Sequence, residues 1–345
     1  MIKVAINGFG RIGRIFFRQA LNQSDLEVVA INDLGSPENL AYLLKYDTVY
    51  GRYDKEVGVS GNKLVVGPAS HEATQDGKHE VLVLSEKDPA ALPWKELGVD
   101  IVIESTGVFD SKEKAMPHIT AGAKHVIITA PTKDDITPTM TPGLMDLSDS
   151  SEKITSNASC TTNAVNPVMA IMMANPGIKK ALLTTIHSYT ATQGLVDGPD
   201  KHGDFRRARA AAQNIVPSTT GAAVATFKVL PKLIGKFDGI ALRVPVISGS
   251  LIDITFVASR STSVEEINNI FREAATKPEW QGILTVTEDP IVSSDILKNP
   301  HGSIIDPALT RVVDGDLVKV FSWYDNEWGY CAMLLRHILE VAKII

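Results

Sequence analysis

The first thirty-three residues confine the fold more tightly than any other stretch of the chain. Residues 3–7 (KVAIN) and 27–32 (EVVAIN) are rich in β-branched side chains and bounded by turn formers, which reads as two buried strands. Between them, residues 11–21 carry Ile12, Ile15, Phe16 and Ala20 at helical spacing. Strand, helix and strand at this spacing form a βαβ unit, which requires a parallel sheet covered by helices. At the first strand-to-helix junction stands Gly8-Phe9-Gly10-Arg11-Ile12-Gly13, a G-x-G-x-x-G pattern in the context where that pattern is informative. The glycines allow a tight turn and close backbone approach to a pyrophosphate. The helix N-terminus offers unpaired N–H groups and the positive end of its dipole. Asp33 closes the second strand 20 residues after Gly13. A carboxylate there accepts from ribose hydroxyls and repels a 2′-phosphate, so the expected cofactor is NAD rather than NADP.

The alternation continues. Strands are expected at 81–84, 101–104 and 125–129, and helices at 37–46, with Ser36 as N-cap and Pro37 in the first turn, and at 112–121. This predicts an α/β fold, a Rossmann doubly wound parallel sheet. From residue 149 the texture changes. Cys160 opens a helix ending near Ala174, and longer strand candidates follow at 181–189, 239–246, 250–258 and 317–324. Such strands predict an α+β catalytic domain with a mixed or antiparallel sheet. Residues 194–203 read as a long loop, and 326–345 as a closing helix. The expected division is 1–159 for the NAD-binding domain, completed by the helix 326–345, and 160–325 for the catalytic domain.

Composition removes several other function classes. A length of 345 residues suits two domains. The net charge of −6 argues against general affinity for nucleic acid or anionic membranes. No apolar run approaches the roughly 18 residues a membrane span needs, and residues 1–7 lack the apolar core of a signal peptide. The 2 cysteines, Cys160 and Cys331, exclude a disulfide scaffold and point to a reducing cytoplasm. No metal is expected.

A lone cysteine is usually a small buried hydrophobe. Cys160 differs because Ser159, Thr161, Thr162 and Asn163 surround it at a helix start, where the dipole favours the thiolate. His187, in Thr184-Thr185-Ile186-His187-Ser188, supplies an imidazole on a strand that can take the thiol proton. Cys331 lies inside the closing helix and reads as packing. The basic run Phe205-Arg206-Arg207-Ala208-Arg209 stands out in a net-acidic chain, and an arginine fork matches phosphate oxygens.

Several motifs carry a family resemblance. They are GFGRIGR at 8–14, STGVFDSKEK at 105–114, ITAP at 128–131, CTTN at 160–163, HSYTATQ at 187–193, STTGAA at 218–223, ALRVP at 241–245 and WYDNEWGY at 323–330. Together the chain resembles the phosphorylating glyceraldehyde-3-phosphate dehydrogenases over nearly its whole length. The resemblance implies that Cys160 forms a hemithioacetal with an aldehyde, and that His187 activates the thiol and then serves as base during hydride transfer. It places Gly8, Gly10, Arg11, Ile12, Gly13, Asp33, Lys87, Thr106, Gly107 and Thr129 at the cofactor, with Asn326 at the nicotinamide carboxamide and Tyr330 beside the ring. It assigns the substrate phosphate to Arg243, Thr190 and Thr192. The attacking phosphate goes to Ser159, Thr161, Thr220, Gly221 and Arg207, with Arg209 as second choice to Arg207. It further implies glyceraldehyde 3-phosphate and inorganic phosphate as partners, and a homotetramer in which the loop 194–204 lines the neighbouring subunit's cofactor pocket. Two positions depart from the family's habit: Lys87 where arginine is frequent, and Ala164 where a second cysteine is frequent. Erythrose-4-phosphate dehydrogenase shares the chemistry and stays open as an alternative, as does a non-catalytic nucleotide- or RNA-binding protein on the same fold.

Overall fold

The computed structural model describes residues 1–69, 77–144, 147, 151–199 and 203–345. Residues group into two compact units: Met1–Met140 with Asp146–Ala158 and Leu334–Ile345, and Thr141–Met145 with Ser159–Met333.

In the first unit, β1 (Ile2–Asn7), α1 (Arg11–Ala20) and β2 (Leu26–Asn32) form the expected βαβ motif. They are followed by α2 (Pro37–Lys45), β3 (Lys55–Ser60), β4 (Lys63–Ala69), β5 (His79–Leu84), α3 (Trp94–Leu97), β6 (Ile101–Glu104), α4 (Lys112–Thr120), β7 (His125–Ile128) and β8 (Ile154–Ser156). The sheet order is β3-β4-β5-β2-β1-β6-β7-β8. All pairs from β5 to β8 are parallel, whereas β3–β4 and β4–β5 are antiparallel. Val4, Ala5 and Ile6 are fully buried, as expected of a central strand covered on both faces. The register pairs Asn7 with Asn32 on one side and with Glu104 on the other, so three polar residues meet at the carboxyl edge of the sheet. That edge is where ligands bind in doubly wound sheets.

The second unit holds α5 (Cys160–Ala174), β9 (Ile178–Ser188), β10 (Val216–Thr219), α6 (Ala222–Val229), β11 (Phe237–Val244), β12 (Ser250–Ala258), α7 (Val264–Ala275), β13 (Leu284–Val286), β14 (Ser303–Ile305), β15 (Arg311–Val313), β16 (Leu317–Tyr324) and the start of α8 (Trp328–Val341). Its sheet runs β10-β11-β9-β12-β16-β14-β13, with β15 on β16. β9 pairs in parallel with β11 and antiparallel with β12, so the sheet is mixed. Val165, Val168, Met169 and Met172 of α5 join Ile252, Ile254, Phe256, Val318 and Val320 of the sheet in one apolar core. Along β12, and along β9 from Ala181 to His187, burial alternates residue by residue, the signature of a sheet with one covered face.

The closing helix starts at Trp328, two residues later than expected. Asp325 Oδ1 accepts from the backbone N–H of Glu327 and Trp328 at 3.0 and 2.9 Å, which caps the helix there. Of the loop 194–204, residues 200–202 lie outside the described residues.

Candidate active site

In the first unit a cavity of about 470 Å³ opens at the carboxyl ends of β1, β2 and β6, lined in part by Gly8, Gly10, Asp33, Lys87 and Thr106. The three glycines of the motif do different work. Gly8 has φ +92°, and a Cβ there would stand 2.7 Å from the Thr106 nitrogen. A Cβ on Gly13 would stand 2.3 Å from the Gly8 oxygen. A Cβ on Gly10 would meet nothing within 4 Å, so the clearance at Gly10 faces the cavity. Gly10 is the N-cap of α1 and lends it no side-chain cap, and the first turn has no acidic residue. The positive end of the helix dipole at this cavity favours an anion.

Asp33 is half-buried and already engaged. Its Oδ2 accepts from Phe9 N–H at 2.7 Å and its Oδ1 from Gly35 N–H at 2.8 Å. Each oxygen keeps a second lone pair for ribose hydroxyls. Behind the cavity lies a polar network that sequence reading did not find. Asn32 Nδ2 donates to Asn7 Oδ1 at 2.7 Å, and Asn7 Nδ2 donates to Glu104 Oε2 at 2.6 Å. Glu104 also accepts from the N–H and hydroxyl of Thr106. Trp94 Nε1 donates to His118 Nδ1 at 3.0 Å, so the neutral ring carries its proton on Nε2, 3.1 Å from Glu104 Oε2. Thr129 bonds the Glu104 carbonyl through its hydroxyl. Arg11 pairs with Asp47, Gly107 has φ +73° and an open side, and Lys87 projects exposed at the cavity rim.

In the second unit Ser159 caps α5: its Oγ accepts from Thr162 N–H at 3.1 Å. Cys160 follows as the first helical residue and is half-buried. Its Sγ lies 3.4 Å from His187 Nε2, so α5 and β9 bring together the two residues singled out from the sequence. The parallel register of β9 with β11 sets Arg243 directly opposite His187. Arg243 Nη1 stands 2.7 Å from His187 Nδ1 and 2.9 Å from the Ser188 carbonyl oxygen. Tyr324, at the end of β16, presents its ring edge-on to His187, with centroids 6.0 Å apart and planes at 79°. Its hydroxyl bonds Thr185 at 2.8 Å and Thr161 at 3.0 Å. Tyr324 is a site residue that sequence reading passed over. Its WYDN context was the available signal.

The electrostatics of the pair modify one expectation. Burial pushes the Cys160 thiol up, and this outweighs the pull of the Arg243 charge and of the Thr161 hydrogen bonds. The helix start alone therefore does not make a resting thiolate. Burial and the Arg243 charge push His187 down to about 3, against the Ser188 carbonyl. Both shifts favour a thiol beside a neutral imidazole at rest, and a neutral ring accepts a proton at whichever nitrogen carries none.

The remaining anion candidates divide. Thr190 and Thr192 join hydroxyls at 2.9 Å on an exposed turn. Arg207 Nε donates to Ser218 Oγ at 2.7 Å and pairs with Asp204 at 3.1 Å. Gly221 is the N-cap of α6 with no side-chain cap, and Thr220 Oγ1 accepts from Ala222 N–H at 3.2 Å. Arg209 instead pairs with Asp197 at 2.8 Å on an exposed surface, and no bond links it to Cys160, His187 or Arg243. The Thr161 hydroxyl is buried against Tyr324. Asn326 Oδ1 accepts from Gly249 N–H at 3.1 Å and from the Ser250 hydroxyl at 2.9 Å. A backbone N–H can only donate, so the amide orientation is fixed and Nδ2 is left to donate. Tyr330 is buried in the first turn of α8.

A dinucleotide-type α/β unit and an α+β unit carrying a thiol–imidazole pair define the class: this is an NAD-dependent oxidoreductase. Residues 2–112 match the family model described as glyceraldehyde 3-phosphate dehydrogenase, NAD binding domain, and residues 159–326 match the corresponding C-terminal domain. The chain belongs to the glyceraldehyde-3-phosphate dehydrogenase family. It is 51% identical over 336 residues to the glyceraldehyde-3-phosphate dehydrogenase of Streptomyces coelicolor, covering 97% of this chain and 96% of that one. It is 46% identical to that of Zymomonas mobilis over 348 residues, 100% of this chain and 99% of the relative. To glyceraldehyde-3-phosphate dehydrogenase 2 of Bacillus subtilis it is 48% identical over 346 residues, 99% and 98% of the two chains.

Proposed function

We propose that this chain oxidises D-glyceraldehyde 3-phosphate with NAD and inorganic phosphate to 1,3-bisphosphoglycerate, in glycolysis or gluconeogenesis, through a thioacyl group on Cys160. The observation that carries this reading is the 3.4 Å approach of Cys160 Sγ to a neutral His187 Nε2. The imidazole takes the thiol proton and the thiolate adds to the aldehyde carbon. The Cys160 N–H at the helix start and the newly protonated His187 support the developing oxyanion. The imidazolium passes its proton to that oxygen, giving the hemithioacetal hydroxyl, and the neutral ring takes it back as the carbonyl re-forms.

The cofactor positions suit NAD. The open side of Gly10 admits a pyrophosphate, Asp33 keeps lone pairs for the ribose, and the Asn326 amide, its Oδ1 engaged, keeps Nδ2 donors for a carboxamide oxygen. When bound, NAD supplies the hydride acceptor. Arg243 with Thr190 and Thr192 would hold the substrate phosphate. Arg207, Thr220 and Gly221 with Ser159 and Thr161 would receive the attacking phosphate. Arg207 is preferred over Arg209, whose partner is Asp197.

We further infer a homotetramer, supported by apolar residues exposed on the second unit's sheet and loop, among them Leu182, Ile240, Leu317, Leu195 and Phe205. A cytoplasmic location is supported by two free cysteines. No helix among the described residues is long and apolar enough to cross a membrane.

Rapid-mixing absorbance tests the reaction. Without inorganic phosphate a single burst of NADH should appear, and steady turnover should require phosphate or arsenate. Full turnover without either would mean that water removes the acyl group, which would overturn the phosphorylating reading and favour the erythrose-4-phosphate alternative.

A further inference from the structure

His187 Nδ1 has two neighbours with opposite requirements. The Ser188 carbonyl oxygen, 2.7 Å away, can only accept a hydrogen bond, and Arg243 Nη1, also 2.7 Å away, can only donate one. Nδ1 of a neutral ring satisfies one of them at a time. Arg243 Nη1 also lies 2.9 Å from the Ser188 oxygen, so the guanidinium serves both acceptors and leaves no carbonyl orphaned. With Arg243 in this place Nδ1 is a lone pair. The ring's single proton then sits on Nε2, facing Cys160 Sγ at 3.4 Å. In that tautomer His187 donates to sulfur and has no free lone pair at Nε2 to take the thiol proton.

The groups that face the ring from the elements around it are Cys160 of α5, Arg243 of β11, Arg207 of the loop before β10 and Tyr324 of β16. None is a carboxylate. Arg243 makes no ion pair among the described residues; its polar partners are the two acceptors at His187 and Ser188. A half-buried guanidinium that lacks a counter-charge is free to be recruited by an incoming dianion.

We propose that Arg243 is a positioning residue for the base: at rest it holds His187 in the Nε2–H tautomer, and the substrate's phosphate group releases the ring by drawing the guanidinium away. On release Nδ1 gains a proton from water while Nε2 returns one to water, with no change in net charge. The Ser188 carbonyl then accepts from Nδ1–H, and the Nε2 lone pair faces the thiol. Proton transfer from Cys160 to Nε2 follows, and the thiolate attacks. The inference rests on the roles proposed above for Cys160 and His187, and it ties the non-reacting end of the substrate to readiness of the base.

The test uses the full chain labelled with ¹⁵N-histidine. The His187 signals, assigned by their loss in His187→Asn, should show an unprotonated Nδ1 and a protonated Nε2 at rest. Glycerol 3-phosphate, which carries the phosphate but no aldehyde, should invert that pattern, and Arg243→Ala should be inverted without any ligand. In rapid mixing with unphosphorylated glyceraldehyde, phosphite dianion should raise the NADH burst rate of the wild type roughly tenfold, a fraction of what a positioned base contributes. It should leave Arg243→Ala unaffected. A protonated Nδ1 in the ligand-free wild type, or a wild-type spectrum that glycerol 3-phosphate does not change, would overturn the proposal. A burst that survives Cys160→Ser would instead overturn the underlying reading of the nucleophile, whatever the spectra show.

Discussion

Helices α1 and α5 both begin beside a candidate site, and they begin differently. α1 starts from Gly10, an N-cap residue with no side chain of its own to offer the first turn. α5 starts from Ser159, whose hydroxyl takes the Thr162 N–H, as Ser36, Ser111 and Ser263 do for α2, α4 and α7. The same dipole points out of both ends. At α1 the cap is withheld, and the space above Gly10 is clear. At α5 the cap is present and fixes the turn that carries Cys160. A bare start suits a ligand that arrives from solution; a capped start suits a nucleophile that belongs to the chain. α6, begun by Gly221, sides with α1, in keeping with a proposed phosphate position there.

The largest expected effect separates the two starts outright. Cys160→Ser should lower the NADH burst by at least about 10³-fold, because a hydroxyl is a far weaker nucleophile than a thiolate. NAD binding, measured by quenching of protein fluorescence, should stay within about twofold. Joint loss of both would break the division of labour.

Next in size is a pair within α1. Gly13→Ala places a Cβ 2.3 Å from the Gly8 oxygen and should unfold or severely destabilise the first unit. Gly10→Ala meets nothing within 4 Å and should fold with an unchanged melting temperature while weakening NAD. Equal thermal losses would show that the clearance at Gly10 has no bearing on the ligand.

Acid should expose a third contrast. Burial holds His125 at about 4 and His337 at about 3 in the first unit, and burial with the Arg243 charge holds His187 at about 3 in the second. Unfolded histidine titrates near 6.5, so the unfolded chain binds more protons below that pH. Stability should thus be full above about pH 6.5 and fall as the pH drops toward 4, by about 1.4 kcal/mol per pH unit for each such histidine. With two of the three, the first unit should melt first in acid, followed by calorimetry at stepped pH.

The smallest effect concerns Asp33. Asp33→Asn keeps one acceptor for Phe9 or Gly35 but loses the charge. The NAD-over-NADP ratio should shrink by roughly tenfold, about 1–2 kcal/mol. An unchanged ratio would move cofactor choice elsewhere.

What was legible in the sequence was mostly local. β1, α1 and β2 follow from periodicity and punctuation, and their bounds agree within a residue. Two elements with local signals went unread: the hairpin β3–β4, turning at Gly61-Asn62, and α7, opened by Ser263-Val264-Glu265-Glu266. What could not be read was long-range register. Arg243 stands beside His187 because β11 runs parallel to β9 at one particular offset, and packing of the whole sheet sets that offset. Glu104 and His118 escaped for the same reason, since their network draws on β1, β6, α3 and α4 at once. Asn326 was expected in a helix; Asp325 caps the helix two residues on and leaves Asn326 anchored to Gly249.

Helix α8 is shared: Trp328–Met333 group with the second unit and Leu334–Ile345 with the first. His337 is buried there between Thr155 and Asn157, whose side chains it bonds at 3.0 and 3.1 Å. During synthesis the first unit emerges first and still waits for this residue, which the ribosome delivers only after all of the second unit. Until then the side-chain carbonyl of Asn157 lacks its ring nitrogen, the hydroxyl of Thr155 has only His125 of its two, and α8's apolar Leu334, Ile338 and Val341 are missing from the core they join. The half of the protein made earliest is the half that closes last.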